Sequence, residues 1–136
     1  MLANFAKVHL GGVKNMYRIA ICDDDLVFGS LLEQYLQNFA KTRRIPIDVL
    51  VFARGEEYLE FLIEELPVDL IFLDIQFEKG LDGVQIGKEL RADIKNEMTQ
   101  IIYISGIESY AMQLFQNRPM DFLVKPVKQE RVDHIM

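Results

Sequence analysis

A chain of 136 residues, half of them hydrophobic and about a quarter charged, is the size of one globular domain that needs no covalent staple. Its 15 Lys and Arg against 21 Asp and Glu give a net charge of −6, which argues against direct nucleic-acid binding, because that needs a basic face against phosphates. One cysteine excludes an internal disulfide, and no apolar run reaches the ~18 residues of a spanning helix, so a reducing, cytoplasmic setting away from the membrane is expected.

Residues 1–15 read as a leader, disordered or added artificially. Gly11-Gly12 punctuates it, and it lacks the apolar core of a signal peptide. Met16, directly before a strand-like run, is the expected natural start of a domain over 16–136.

Tyr17 to Cys22 is short and apolar, a buried strand. Leu26, Leu31, Leu32, Tyr35, Leu36 and Phe39 recur at three-to-four spacing and predict a helix. Ile47 to Phe52 is a second strand, and Pro46 before it suits a sheet edge. Glu56 to Leu66 is helical, closed by Pro67. Leu70 to Leu73 is apolar throughout, as expected of a strand covered on both faces.

Gly80-Leu81-Asp82-Gly83 is a turn. Ile86, Leu90 and Ile94 then share a helical face, with Gly87 permitting close packing. Gln100 to Ile104 is a fourth strand, Glu108 to Gln116 a short helix, and Phe122 to Val124 a fifth strand. A last helix runs from Val127; it is short and has no capping signal before Met136, which predicts that the natural protein continues. Five alternating βα units predict an α/β fold, a parallel sheet with helices on both faces.

In such sheets, sites form beyond the carboxyl ends of the strands. Asp23, Asp24 and Asp25 follow the first strand, Asp74 ends the third, Ser105 follows the fourth and Lys125 the fifth. Gathering like charges must be offset by something, and a bound Mg²⁺ is the usual gain. That ion takes oxygen ligands and keeps several waters, which two carboxylates and a backbone carbonyl would satisfy. A lysine adds a second positive charge and a serine a hydrogen bond. Phosphoryl transfer onto a carboxylate needs mainly such positioning and charge.

These residues resemble the set carried by response-regulator receiver domains of two-component systems, over about residues 16–136. The resemblance implies a flavodoxin-like three-layer sandwich, with a five-stranded parallel sheet of order 2-1-3-4-5. It makes Asp74 the phosphoacceptor. Asp23 and Asp24 match the acidic pair, with Asp24 favoured as the direct metal ligand, and Gln76 would lend its backbone carbonyl. Ser105 matches the switch hydroxyl, Phe122 the switch aromatic and Lys125 the phosphate-binding lysine, in a Lys125-Pro126 dipeptide whose bond is usually cis.

The stretches from Ser105 through Tyr110 and Phe115 to Pro126, and Leu73-Asp74-Ile75-Gln76, resemble receivers joined to LytTR-type DNA-binding domains. Two departures stand out. The loop Phe77 to Gly83 lacks the Met-Pro of many receivers and is one residue longer, which bears on phosphoryl lifetime. The switch aromatic is Phe, not the Tyr of many relatives.

The resemblance implies a switch, not an enzyme. A sensor histidine kinase would phosphorylate Asp74, and Ser105 and Lys125 would be drawn inward. Phe122 would repack, and the face of helix 108–116, strand 122–124 and the last helix would change its homodimer or effector contacts. DNA would be reached through a C-terminal domain beyond Met136. One alternative is a Mg²⁺-dependent aspartyl-phosphate phosphatase, although Asp74-Ile75-Gln76 lacks the second acid of Asp-x-Asp. Another is a docking module independent of phosphorylation.

Plainer roles are expected elsewhere. Asp25 reads as the N-cap of the helix from Leu26. Cys22 reads as a small buried apolar residue, and Lys41, Arg43 and Arg44 as complements to a helix C-terminus. Asp82 and Glu78 read as solvated loop charges, and His9 and His134 as bearing no metal.

Overall fold

The computed structural model describes residues 16–77, 80–93, 96–106 and 117–136. The leader, Glu78, Ile94 and the predicted helix 108–116 lie outside them. The described elements are β1 (Tyr17–Cys22), α1 (Leu26–Arg43), β2 (Ile47–Phe52), α2 (Gly55–Glu64), β3 (Leu70–Asp74), α3 (Gly83–Ala92), β4 (Gln100–Ser105), β5 (Asp121–Val124) and α4 (Gln129–Ile135). The five strands form one sheet in the order β2-β1-β3-β4-β5, all parallel. This is the flavodoxin-like sandwich.

Alternation along β3 shows why the sheet needs cover on both sides. Leu70 and Phe72 join a core with Ile19, Ile21, Leu32, Leu36 and Val132, beneath α1 and α4. Ile71 and Leu73 face the other way, into a core with Tyr58, Leu62, Ile86, Leu90 and Tyr103, beneath α2 and α3. Successive strand residues point to opposite faces, so a strand wholly apolar is a strand buried twice. Edge strand β2 follows Pro46, whose carbonyl accepts from the Tyr17 N–H at 2.9 Å.

Several boundaries differ from the sequence reading. The α2 helix begins at Gly55 and stops at Glu64; Glu65 is already extended, with φ −118°. The strands β3, β4 and β5 each take in one more polar residue, Asp74, Ser105 and Asp121. The last helix starts at Gln129, and Val127 packs into the core instead. In α1 the large buried side chains are Phe28, Leu32, Leu36 and Phe39, at 3.6-residue spacing, whereas the expected Leu26 and Leu31 are 64% and 42% exposed.

Asp82 is exposed, as expected of a solvated charge, and it has a second role that was not expected. It caps α3, its Oδ1 accepting from the Gln85 N–H at 2.9 Å while the Gln85 Oε1 accepts from the Asp82 N–H at 3.1 Å. This reciprocal box satisfies two donors that a helix start leaves open. Asp25 caps α1 as expected. Lys41 and Arg43 stand in the last turn of α1, and Arg44 ends it at φ 58°. Gly87 packs so tightly that a Cβ there would overlap the Tyr103 hydroxyl.

Candidate functional site

Register decides which side chains meet. Cys22 aligns with Leu73, Leu73 with Tyr103 and Tyr103 with Phe122. The next rank therefore places Asp23 beside Asp74, and Ser105 and Lys125 follow one and two steps on. The Lys125 N–H donates to the Ser105 carbonyl at 2.8 Å, which carries the lysine over the sheet edge.

Asp23, Asp24 and Asp74 each offer a carboxylate oxygen, all within 4.8 Å of one another. Asp23 and Asp74 are 1% and 4% exposed, and Asp24 opens to solvent. Asp23 Oδ1 accepts from the Asp25 N–H at 2.9 Å, and Asp74 Oδ1 from the Gln76 N–H at 3.2 Å. Lys125 Nζ stands 2.9 Å from Asp23 Oδ2 and 3.8 Å from Asp74 Oδ2. The shorter contact is an ion pair at hydrogen-bond distance, and beyond that lysine the fully buried Asp23 Oδ2 has no hydrogen-bond partner.

Burial first, and then the Asp23 charge, push the Asp74 carboxyl up from 3.8 to about 7 against the opposing pull of Lys125 and the Gln76 N–H. Burial pulls the Lys125 ammonium down, but the bond to Asp23 and the Asp74 charge outweigh it, and the net direction is up. Burial also raises the Cys22 thiol, which leaves it the inert apolar residue expected.

The donor set fits a hard divalent cation. Three carboxylates converge, two of them desolvated, and one buried oxygen lacks a hydrogen bond. Two buried carboxylates with one lysine between them are only partly compensated, which is costly, and a cation bound by their oxygens would relieve it.

A protein-family model for the response regulator receiver domain matches residues 19–136. The chain belongs to that family. This receiver is 34% identical over 77 residues to a sensory transduction protein LytT from Oceanobacillus iheyensis, a match covering 57% of the chain and 30% of the relative. It is 28% identical over 117 residues to a LytT protein from Bacillus cereus, covering 86% and 44%. The receiver thus spans less than half the length of these relatives. Its fold also matches the receiver domain of a sensor histidine kinase from Pseudomonas aeruginosa, with a TM-score of 0.71 and 21% identity over 88% of this chain and 93% of that one. The crystal of that protein has magnesium coordinated in its active-site cleft.

Asp23, Asp24, Asp74 and Lys125 meet at one point in the receiver. Ser105 is buried at the same edge, 1% exposed. Gln76 reaches Asp74 through its N–H. Phe122 lies apart, half-buried against the α2 and α3 side of the sheet, and with Val124, Pro126 and Arg131 it lines a surface groove. The Lys125-Pro126 bond is cis.

Three features escaped the sequence reading. Phe28 lies under Lys125, its ring centre 4.4 Å from Nζ. Gly83 leaves no room for a Cβ, which would overlap the Asp74 carbonyl, and its N–H donates to the Ile75 carbonyl at 2.8 Å. Arg91 gathers backbone carbonyls of Asn96, Asn117 and Arg118. The Asp82-Gly83 pair was a legible signal for the second; the other two depend on tertiary contacts. No helix among the described residues is long and apolar enough to cross a membrane.

Proposed function

We propose that this receiver accepts a phosphoryl group from a sensor histidine kinase onto Asp74, in the presence of Mg²⁺, and works as a cytoplasmic switch. The observation that carries the reading is the pairing of two buried carboxylates, Asp23 and Asp74, with one lysine that bridges them at 2.9 and 3.8 Å. A structural ion pair needs one acid for one base. Two acids and a third, exposed one make a surplus of negative charge with a use only when a cation joins it.

An Asp74 oxygen forms the new bond to phosphorus as the donor's P–N bond breaks, and the histidine keeps that electron pair. Asp23 and Asp24, with the Gln76 carbonyl, are the residues that would hold the metal. Bound Mg²⁺ supplies charge neutralisation for the carboxylates and one phosphoryl oxygen. Lys125 gives up its Asp23 and Asp74 contacts for another phosphoryl oxygen, and Ser105 offers its hydroxyl.

A phosphoryl group brings about −1.5 to −2 units of charge. Drawing Lys125 and Ser105 inward pulls on β4 and β5, and Phe122 repacks two residues before Val124. Contacts of the Phe122 to Arg131 face, with a second copy or an effector, then shift in population. The similarity to LytT proteins supports a LytTR-type DNA-binding domain after residue 136 of a chain whose receiver unit is 16–136, with the leader outside it. The amide at Gln76 supports a switch over a phosphatase, because no second acid stands there to speed hydrolysis.

The test is labelling by acetyl phosphate. The parent should take close to one phosphoryl group per chain, Mg²⁺-dependent and slowly lost, and Asp74→Asn should take none. Label retained in Asp74→Asn, or rapid turnover of small phosphate esters, would overturn the reading.

A further inference from the structure

Lys125 is held by more than its carboxylates. Its Nζ lies 4.4 Å from the centre of the Phe28 ring, well inside the ~6 Å reach of a cation over an aromatic face. Phe28 is 8% exposed and fixed from two sides. Its side chain belongs to the core with Leu32 and Val127. Its N–H donates to Asp25 Oδ1 at 3.1 Å, and the Asp25 N–H donates to Asp23 Oδ1 at 2.9 Å. The aspartate run therefore sets a metal-facing carboxylate and, through the cap, the ring beneath the lysine.

We propose that Phe28 is a positioning residue for Lys125: its ring face keeps the ammonium at the phosphoacceptor while the lysine changes partners. The proposal rests on the reading of Asp74 as phosphoacceptor. A carboxylate holds an ammonium through its N–H donors and must release them when phosphoryl oxygens need them. An aromatic face attracts the charge through its quadrupole and uses no lone pair. It can stay in place through the exchange. The lysine side chain is 24% exposed, so water is the competing destination for a flexible stem. The cation pairs Arg18 with Phe61 and Arg43 with Phe39, at 5.3 and 5.4 Å, are longer and involve none of the site residues.

The experiment replaces Phe28, in the full chain, by phenylalanines carrying one, two and three ring fluorines, which weaken the quadrupole at nearly constant shape. The acetyl-phosphate labelling rate at saturating Mg²⁺ should fall with each fluorine, to about three- to tenfold below the parent with three. Melting temperature and Mg²⁺ affinity should stay put. In the metal-free protein, the Lys125 ε-methylene protons should show an upfield ring-current shift that Phe28→Leu abolishes. A labelling rate independent of fluorine count, a fall matched by lost thermal stability, or an unshifted Lys125 signal each overturns the positioning role. A parent that takes no label overturns the phosphoacceptor reading and this role with it; a normal label with a flat fluorine series overturns this role alone.

Discussion

Two buried polar regions of this receiver are built on opposite rules. Around Arg91, donors and acceptors are matched. The guanidinium donates to the carbonyls of Asn117, Asn96 and Arg118 at 2.8, 2.9 and 3.3 Å. The Asn117 amide donates to the Tyr103 hydroxyl at 2.9 Å and the Val84 carbonyl at 3.2 Å. Among the described residues its one loose end is Asn96 Oδ1. Around Asp74, two buried carboxylates share one lysine, and beyond it Asp23 Oδ2 has no hydrogen-bond partner. A satisfied network locks its elements together, and an unsatisfied one leaves room for an exchange of partners. The first ties α3 to the turns before β4 and β5; the second leaves one lysine shared between two acids at the end of β3.

The sharpest way to break the contrast is to remove one charge from each. Arg91→Met keeps the stem and leaves up to three carbonyls short of a donor, so it should cost about 2–3 kcal/mol of unfolding free energy. Asp74→Asn removes a charge that burial disfavours, and in metal-free buffer near neutral pH it should leave stability unchanged or raise it. Urea denaturation of both variants decides this. Equal losses would show the site to be an ordinary structural network.

The two regions should also part in their response to pH and metal. The folded protein holds a proton on Asp74 up to about pH 7, where an unfolded carboxyl gives it up near 3.8. The raised value means that protonation contributes stability in full below 3.8, and that this contribution is lost as the pH climbs towards 7. Without metal, the parent should therefore melt lower at about pH 8 than at about pH 5.5, and Asp74→Asn should show less of that fall. Mg²⁺ would bind the ionised carboxylates, so it should restore more at the higher pH. At ten times its dissociation constant the gain is about 1.4 kcal/mol, or roughly 5 °C for a domain this size. Thermal melts across pH with and without millimolar Mg²⁺ measure it; no Mg²⁺ shift at any pH would remove the metal from the account.

What could be read in advance divides along the same line. The strands and the rim that carries Asp23, Asp74, Ser105 and Lys125 follow from apolar runs that end in polar residues, whereas the order 2-1-3-4-5 comes from the family resemblance, because a run of apolar residues carries no neighbour. The cap at Asp25 is a signal three residues long. Phe28 was not legible, because Leu26, Leu31 and Leu32 offer an equally apolar stripe, and only docking on the sheet turns Phe28 inward. Asp82 and Gln85 carried a local capping signal, although Asp82 alone looks like a loop charge. Arg91 gives no signal at all. Its partners are backbone carbonyls, two of them 26 and 27 residues away, and a carbonyl has no identity in a sequence.

The finest test separates packing from bonding inside the matched network. Tyr103 is wholly buried opposite Phe122 in the sheet register, and burial lifts its hydroxyl to about 12, so it stays neutral. That hydroxyl fills the space over Gly87 and accepts from Asn117. Tyr103→Phe removes the acceptor and opens a small gap, while Asn117 keeps the Val84 carbonyl. The expected cost is about 1 kcal/mol, with the Mg²⁺ response and acetyl-phosphate labelling unchanged. Because Tyr103 lies two residues before Ser105 on the same strand, slowed labelling without further loss of stability would show that the locked network and the exchangeable site are joined through β4.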